Sequence, residues 1–326
     1  MRKPIVVVGS INLDLVVSPN RLPLPGQTVF GSRFQTFYGG KGANQAVGVA
    51  RLRYPVRMIG RVGDDEFGDR LRQGLRNAGV NARSVKATPG TSSGVALISV
   101  DSEGANTIVV VPGANGRLAP PDIKRSLALI CSAGMILTQL EVPLVTIEFL
   151  AEAAYAHGIP LMLDPAPACP LSQQLLKRVS WLTPNETETT ILCGCKADRL
   201  NLRMAREYAH ALLERGVRNV VIKMGDRGAF AAGSAGWEKL IPVFRVRAVD
   251  STASGDAFNA GLAVALMKGE APLDAVRFAS GVAALSVTRH GAQPSMPTDR
   301  EVAGFLRRSQ LKARRPLQRR QPTTLC

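Results

Sequence analysis

Short runs rich in β-branched residues alternate along the chain with helical segments, and this alternation restricts the fold more than any other feature of the sequence. Strands that read as short apolar runs are typical of a parallel sheet whose two faces are both covered by helices. We therefore predict an α/β protein, a three-layer sandwich around a mainly parallel central sheet. The predicted core strands cover residues 5–9, 57–61, 134–140, 160–163, 181–182 and 219–223, and the clearest helices cover 43–52, 66–78, 145–157, 186–193, 202–215, 257–267 and 273–289.

Two segments, about 14–38 and 93–113, break the alternation. The second is typical of a β-hairpin in which residues 94–100 and 107–111 flank a polar turn. Paired with the first segment, it predicts a small β-sheet that forms a lid over the carboxyl edge of the main sheet, where α/β proteins bind ligands. Such a lid has an exposed apolar face, so we expect it to cover a substrate and to form the interface of a homodimer.

The net charge of +16 is concentrated at the end of the sequence. Residues 307–326 carry seven basic residues and no acidic residue, which leaves +9 for the rest. We expect residues 1–306 to form the folded domain and 307–326 a basic, disordered extension. No aromatic residue lies among these basic residues, which disfavours a nucleic-acid-binding arm.

The sequence also indicates a cytoplasmic protein without a membrane partner. No apolar run reaches the length that spans a bilayer, and no secretory cleavage pattern follows Met1. The five cysteines, among them Cys193 and Cys195, have neither a disulfide-framework nor a zinc-finger spacing. We interpret them as reduced structural thiols and expect no built-in transition-metal site.

The most informative segment, residues 250–261, places small residues directly before a helix. Small side chains expose the backbone, and N–H groups at the positive end of a helix form an anion hole suited to a phosphoryl group in transfer. The predicted hole consists of the amides of Ala253, Ser254, Gly255 and Asp256. The Asp256 carboxylate could accept a hydroxyl proton as a general base or could simply cap the helix, and the segment alone leaves both interpretations open.

Two polar motifs near the N-terminus are typical of a site for a polyhydroxylated ligand. Asn12 and Asp14 follow the first strand two residues apart, so both can face vicinal hydroxyl groups. Residues 38–45 combine three glycines with Lys41, Asn44 and Gln45 at the start of a helix. This is not a Walker A loop, because Lys41 is followed by Gly42 and not by Ser or Thr.

The segments 39–45 and 250–256 together resemble the two signatures of the ribokinase-like carbohydrate kinase family. The resemblance extends through 63–68, 139–141, 165–167, 183–188 and 291–295 and covers residues 4 to about 306. Within the family it is greatest for the branch that phosphorylates ribose. It implies transfer of the terminal phosphoryl group of ATP to the 5-hydroxyl of D-ribose, with Mg²⁺ bound to the nucleotide.

The resemblance also implies roles for individual residues. Asp256 would deprotonate the 5-hydroxyl, assisted by the anion hole at 253–256. Sugar contacts would come from Asn12, Asp14, Gly39, Gly40, Lys41, Asn44 and Glu141. Nucleotide contacts would come from Asn185, Glu188, Lys223, Gly225, Gly228, Gly255 and Ser280, with Asn185 and Glu188 organising magnesium through water. Lys223 and Ser280 depart from the residues common in the family, so nucleotide preference is less well specified than the chemistry, and His290 is a second candidate neighbour of the base.

An activating potassium ion is a further implication of the resemblance. The corresponding positions are Asp250, Thr252, Ser286, Arg289, Gly291 and Ser295, most of which would bind the ion through backbone carbonyl groups.

Three alternatives remain open from the sequence. A related kinase could act on 2-deoxyribose or another furanose, although Asn12 can satisfy a 2-hydroxyl and favours ribose. A non-catalytic sugar sensor would use the same fold, but the intact Asp256 argues against it. A nucleic-acid-binding protein is suggested by the charge alone.

Overall fold

The computed structural model describes residues 2–195 and 199–314. Thirteen strands lie in these ranges: β1 (Ile5–Val8), β2 (Asn12–Pro19), β3 (Gly31–Gly39), β4 (Val56–Gly63), β5 (Asn81–Thr88), β6 (Gly94–Val100), β7 (Asn106–Val111), β8 (Met135–Gln139), β9 (Leu161–Asp164), β10 (Trp181–Leu182), β11 (Asn219–Lys223), β12 (Ala229–Gly233) and β13 (Glu238–Ile241).

Nine of these strands form the central sheet in the order β13-β12-β11-β10-β9-β8-β1-β4-β5. Seven neighbouring strands of this sheet are parallel: β11, β10, β9, β8, β1, β4 and β5. β12 and β13 add an antiparallel edge. β1 lies in the interior, between β4 and β8, and its four residues are fully buried. The β-branched sequence of β1 suits this position, since such side chains pack well on a pleated surface buried on both faces.

Helices cover both faces of this sheet. They are α1 (Lys41–Arg51), α2 (Glu66–Asn77), α3 (Pro120–Arg125), α4 (Leu127–Cys131), α5 (Leu144–Ala156), α6 (Gln173–Leu176), α7 (Glu186–Cys193), α8 (Leu202–Glu214), α9 (Ser254–Met267), α10 (Pro272–Ser286) and α11 (Asp299–Arg314). Alternate residues of β1 enter two separate cores: Ile5 and Val7 pack with α1, α9 and α10, and Val6 and Val8 pack with α5 and α8. The predicted three-layer α/β architecture is confirmed. No helix in the described part of the chain has the length and apolar character needed to cross a bilayer.

The two segments that break the alternation form a second sheet, in the order β3-β2-β6-β7. β2 pairs with β6 in parallel, while β2–β3 and β6–β7 are antiparallel. The predicted hairpin is therefore present. The segment containing β2 and β3 follows β1 directly and is followed by α1. The lid sheet is therefore attached to the main sheet at its carboxyl edge.

The structure contains three strands that the sequence did not predict: β5, β12 and β13. β5 is largely polar and lies at an edge of the sheet, β12 consists of alanines, glycine and one phenylalanine, and β13 is short. None of them has the apolar alternation that marks a strand.

The predicted start of the C-terminal extension at residue 307 falls inside α11. This helix continues to Arg314, so residues 307–314 are helical and not a disordered segment. The remainder of the predicted extension, 315–326, lies outside the described residues.

Candidate active site

Polar side chains collect where the parallel strands end. Gln139, Asp164 and Lys223 are the last residues of β8, β9 and β11, and all three strands point the same way. The carboxyl ends of parallel strands meet at one edge of a sheet, which is where α/β proteins bind ligands. The first turns of α1, α7 and α9 reach the same edge, since Lys41, Glu188 and the residues 253–256 line one cavity with Asp164 and Lys223.

The start of α9 has the backbone geometry expected of an anion site. Ala253 precedes the helix in a left-handed conformation, with φ 57°. The Ser254 amide donates to the Ser251 carbonyl at 3.2 Å, so it is occupied. Among the described residues, the amides of Ala253, Gly255 and Asp256 have no hydrogen-bond acceptor within the chain. Three of the four predicted N–H groups are therefore available to an anion.

Asp256 lies in the first turn of α9 and is only 4% exposed. Its Oδ2 accepts a hydrogen bond from Asn44 Nδ2 at 3.0 Å, and its Oδ1 accepts one from Gln45 Nε2 at 3.1 Å. Burial raises the pKa of Asp256 to about 6; Lys41 opposes this increase and the Asp164 carboxylate adds to it. A carboxylate with this pKa is ionised at neutral pH and is more basic than an exposed aspartate, which suits it to accept a proton.

Asp164 is a site residue that sequence reasoning missed. It is 3% exposed, and its two oxygens accept hydrogen bonds from Lys223 Nζ at 3.0 Å and Gln45 Nε2 at 3.1 Å. The Gln45 nitrogen thus donates to both Asp164 and Asp256, while Gln45 Oε1 accepts from Gln139 Nε2 at 2.7 Å. The available sequence signal was an acidic residue that ends a buried apolar strand and precedes a proline.

The sugar-side residues predicted on β2 lie at the junction between the two sheets. Asn12 is buried, and its Oδ1 accepts a hydrogen bond from Asn115 Nδ2 at 2.7 Å, which leaves the Asn12 amide nitrogen to donate. Asn115 was not predicted. The Asp14 carboxylate packs so closely against Gly39 that a Cβ atom there would lie 2.2 Å from Oδ2. Burial, with the Glu141 and Asp256 carboxylates, raises the pKa of Asp14 to about 7.

The glycine-rich turn before α1 brings backbone against backbone. Gly40 has φ 84°, and a Cβ atom on Gly42 would lie 2.7 Å from the carbonyl carbon of Gly9. Only glycine permits both features. Helix α1 can therefore approach the loop after β1 closely enough for Asn44 and Gln45 to reach Asp256.

Glu141 holds this turn in place. Its Oε2 accepts hydrogen bonds from Ser10 Oγ at 2.5 Å and from the Lys41 backbone amide at 3.0 Å, at the amino end of α1. Although burial alone lowers the pKa of Lys41, the carboxylates of Asp256, Asp164, Glu141 and Glu188 raise it above its ordinary value. Lys41 is therefore a permanent cation among carboxylates.

Asn44 has an unused acceptor. Its Oδ1 is buried and has no hydrogen-bond partner among the described residues, while its Nδ2 donates to Asp256. A buried carbonyl oxygen without a donor is costly, and a ligand hydroxyl would satisfy it.

The predicted nucleotide residues line a cavity of about 830 Å³ that begins at Lys41 and Asp256. Lys223, Gly225, Gly228, Gly255 and Ser280 all lie on its wall, together with Asn185 and Glu188. His290 is exposed and is not among the lining residues.

Asn185 and Glu188 form a helix cap as well as part of the cavity wall. Asn185 Oδ1 accepts a hydrogen bond from the Glu188 backbone N–H at 2.8 Å, and Glu188 Oε2 accepts one from the Asn185 backbone N–H at 2.7 Å. Burial raises the pKa of Glu188 against the opposing effect of Lys223. Because the Asn185 side chain is occupied by the cap, this pair is placed to act on a ligand indirectly.

The positions assigned to potassium lie on the loop before α9, at the last residue of α10 and in the segment that follows α10. Asp250 joins these loops, since its carboxylate accepts from the Thr252 amide and the Gly291 amide, each at 2.8 Å. Ser286 Oγ and Ser295 Oγ donate to the carbonyls of Ala283 and Ala292, and Arg289 pairs with Glu301. In the described part of the chain, no group of three or more His, Cys, Asp or Glu side chains is arranged to hold a metal ion.

Comparison with known proteins gives consistent matches over almost the whole chain. Residues 2–299 match the model of the pfkB family of carbohydrate kinases. A Bacillus subtilis ribokinase is 43% identical over 303 residues, 93% of this chain and 99% of its own, and a Salmonella typhi deoxyribokinase is 37% identical over 303 residues, 93% and 98%. The structure of an Arabidopsis thaliana ribokinase complexed with ribose and ATP superposes with a TM-score of 0.88 at 33% identity, covering 94% of this chain and 99% of that one.

We expect Lys41→Met to raise the pKa of Asp256 above about 6, because the ammonium group stabilises the ionised carboxylate. The measurement is a carbon-detected NMR titration of the carboxyl groups, assigned with Asp256→Asn. Lys268→Met is the control, since Lys268 pairs with Asp299 outside this cluster and should leave the titration unchanged. A pKa that Lys41→Met does not change would contradict the assignment of Lys41 to this charge cluster.

Proposed function

Because this chain belongs to the pfkB family of carbohydrate kinases, we propose that it transfers the terminal phosphoryl group of ATP to the 5-hydroxyl group of D-ribose, giving D-ribose 5-phosphate and ADP. One observation carries the proposal: a buried aspartate, Asp256, lies beside free backbone amides at the amino end of α9, on the wall of a large cavity. This arrangement places a base next to a site for a phosphoryl group.

The residues divide the reaction between them. Asn12, Asp14, Asn44 and Glu141 orient the sugar, and Asp256 accepts the proton of the attacking hydroxyl as the oxygen–phosphorus bond forms. The bond from the γ-phosphorus to the bridging oxygen breaks, and ADP leaves with that oxygen. The free amides of α9 and the Lys41 ammonium stabilise the negative charge on the phosphoryl oxygens.

The choice between ribose and 2-deoxyribose depends on Asn12. Asn115 occupies Asn12 Oδ1, so Asn12 Nδ2 remains as a donor at the entrance of β2. A pocket built to hydrogen-bond a hydroxyl rejects an analogue that lacks it, since the polar group is then left unpaired. We therefore place ribose first and 2-deoxyribose second, because the Salmonella typhi relative is named a deoxyribokinase.

Magnesium and potassium have different places in this proposal. Mg²⁺ would arrive with ATP, Asn185 and Glu188 would help to hold it through water, and the ion would offset the negative charge of the phosphates. Potassium suits the oxygen donors of residues 250–252 and 286–295, at Asp250, Thr252, Ser286, Arg289, Gly291 and Ser295. When bound, the potassium ion would offset the negative charge of these oxygen donors and make the turn before α9, next to the anion site, more rigid.

We also propose a homodimer formed through the lid sheet. Every residue of β7 is exposed, and Ile108, Val109, Val110 and Val111 are 45–60% exposed. An edge strand of this kind has unpaired backbone groups beside an apolar surface, and a second copy of the sheet would cover both.

Since the phosphoryl donor is ATP, we place the reaction in the cytoplasm.

The test of the function is ADP release with MgATP and potassium across ribose, 2-deoxyribose, fructose, adenosine, uridine and pseudouridine. We expect the highest turnover on ribose, and Asp256→Asn should lower kcat by on the order of 10²-fold or more while sugar binding persists. Activity should also fall as the pH drops below about 6, because protonated Asp256 cannot accept the hydroxyl proton. Near-normal turnover by Asp256→Asn would refute the role of Asp256 as the general base. If none of the six acceptors supports ADP release, a non-catalytic sugar sensor would be favoured.

Potassium should accelerate the reaction relative to sodium at equal ionic strength. Asp250→Asn should remove most of this difference because the carboxylate joins the two loops of the proposed site. Steady-state rates in the two salts measure the effect, with thermal unfolding as the check on folding. Equal rates of the wild-type protein in both salts would disprove the potassium site.

Val110→Lys should convert the dimer to a monomer, since it places a charge on the exposed lid strand. Val145→Lys is the matched control, because Val145 is an exposed valine on α5, away from the lid. Sedimentation velocity distinguishes the two states. A wild-type protein that sediments as a monomer, or a Val110→Lys protein that remains dimeric, would rule out this interface.

A further inference from the structure

An ion pair between Asp164 and Lys223 lies inside the active site. Lys223 Nζ is 3.0 Å from Asp164 Oδ1, and the side chains are 15% and 3% exposed. The two residues end β9 and β11, with β10 between them, so the pair spans the width of the intervening strand at the carboxyl edge of the sheet. Its position leaves both charges largely removed from water.

Stability alone does not account for such a pair. Removing two charges from water costs free energy that their attraction barely repays, and apolar residues of similar volume often do as well. Neither the proton transfer to Asp256 nor the sugar contacts described above use Lys223. The pair is therefore a candidate for a role in ligand binding at this site.

The position of the ammonium group indicates that role. A Cβ atom placed on Gly255 would lie 3.3 Å from Lys223 Nζ, so the cation lies beside the first turn of α9. The amides of Gly255 and Asp256, which have no acceptor in the described chain, belong to this same turn. A fixed positive charge and free N–H groups on one wall of a cavity form a site for a multiply charged anion.

Asp164 connects this cation to the base. One carboxylate oxygen accepts from Lys223, and the other accepts from Gln45 Nε2, which also donates to Asp256. Lys223, Asp164, Gln45 and Asp256 thus form one continuous chain of contacts. A displacement of Asp164 would move both the cation and the amide that orients the base.

We infer that, within the proposed kinase reaction, Lys223 contacts the phosphoryl group in transfer and Asp164 is the positioning residue that holds Lys223 there and couples it through Gln45 to Asp256. Lys223 takes up no proton in this step: the hydroxyl proton goes to Asp256, and the ammonium group only stabilises negative charge on the phosphoryl oxygens. The inference rests on the proposed function for its reaction.

A double-mutant comparison separates this role from charge compensation. Asp164→Asn and Lys223→Met should each lower the thermal unfolding temperature, because each leaves a buried charge without its partner. The double variant should regain the unfolding temperature but not the rate: we expect kcat to stay lower by on the order of 10²-fold, with the KM for ribose within about threefold of wild type. Lys223→Arg, which keeps the charge, should recover part of kcat.

The control is the pair formed by Lys268 and Asp299, which has the same 3.0 Å separation but is 32% and 38% exposed. Removing both of its charges should leave kcat unchanged. A double variant of Asp164 and Lys223 that regains both the unfolding temperature and the wild-type kcat would overturn the inference, because the pair would then be structural only.

A binding measurement keeps this inference distinct from the proposed function. If the wild-type protein turns over none of the sugars, the proposed function fails by that result alone. Calorimetry with MgADP and with MgADP plus fluoroaluminate, which mimics the phosphoryl group in transfer, needs no turnover. Lys223→Met should weaken the fluoroaluminate complex at least tenfold more than the ADP complex, and equal effects on the two would refute the contact.

Discussion

The side-chain nitrogen of Gln45 donates to two buried carboxylates, Asp164 and Asp256, and the rest of the site depends on this shared contact. Gln45 lies on α1, Asp164 ends a strand of the main sheet and Asp256 opens α9. Three separate elements are thereby fixed at one point. Burial of an unpaired carboxylate is costly, so Asp164 and Asp256 both accept hydrogen bonds from amide or ammonium groups. These hydrogen bonds restrict the positions of α1 and α9.

The close approach that makes this contact possible is a backbone property. Gly42 brings α1 against the loop after β1, and Glu141 accepts from the Lys41 amide at the amino end of that helix. A carboxylate at this end is favourable because it meets unsatisfied N–H groups and the positive end of the helix dipole. The glycine-rich turn is therefore a device for positioning Asn44 and Gln45, in addition to any contact it makes with a ligand.

Much of the fold could be predicted from the sequence because buried parallel strands have a simple signature. β1 and β11 are apolar and β-branched, whereas β5 and β12 are polar or alanine-rich and give no such signal. For the site, small residues before a helix indicated Asp256 and its amides. Long-range pairing could not be predicted this way: Asp164 and Lys223 are 59 positions apart, and Asn12 and Asn115 are 103 apart, so only the folded chain reveals these partners.

The raised pKa of Asp14, about 7, has a consequence for ligand binding itself. Because this pKa lies near neutrality, the carboxyl is present in both protonation states at neutral pH, and a sugar hydroxyl that donates to it, in the binding mode we propose, favours the ionised form. Sugar binding is then coupled to the release of a proton into the solvent. The heat of binding will include the ionisation enthalpy of the buffer, and the apparent affinity will rise with pH across neutrality even though the ligand carries no titrating group.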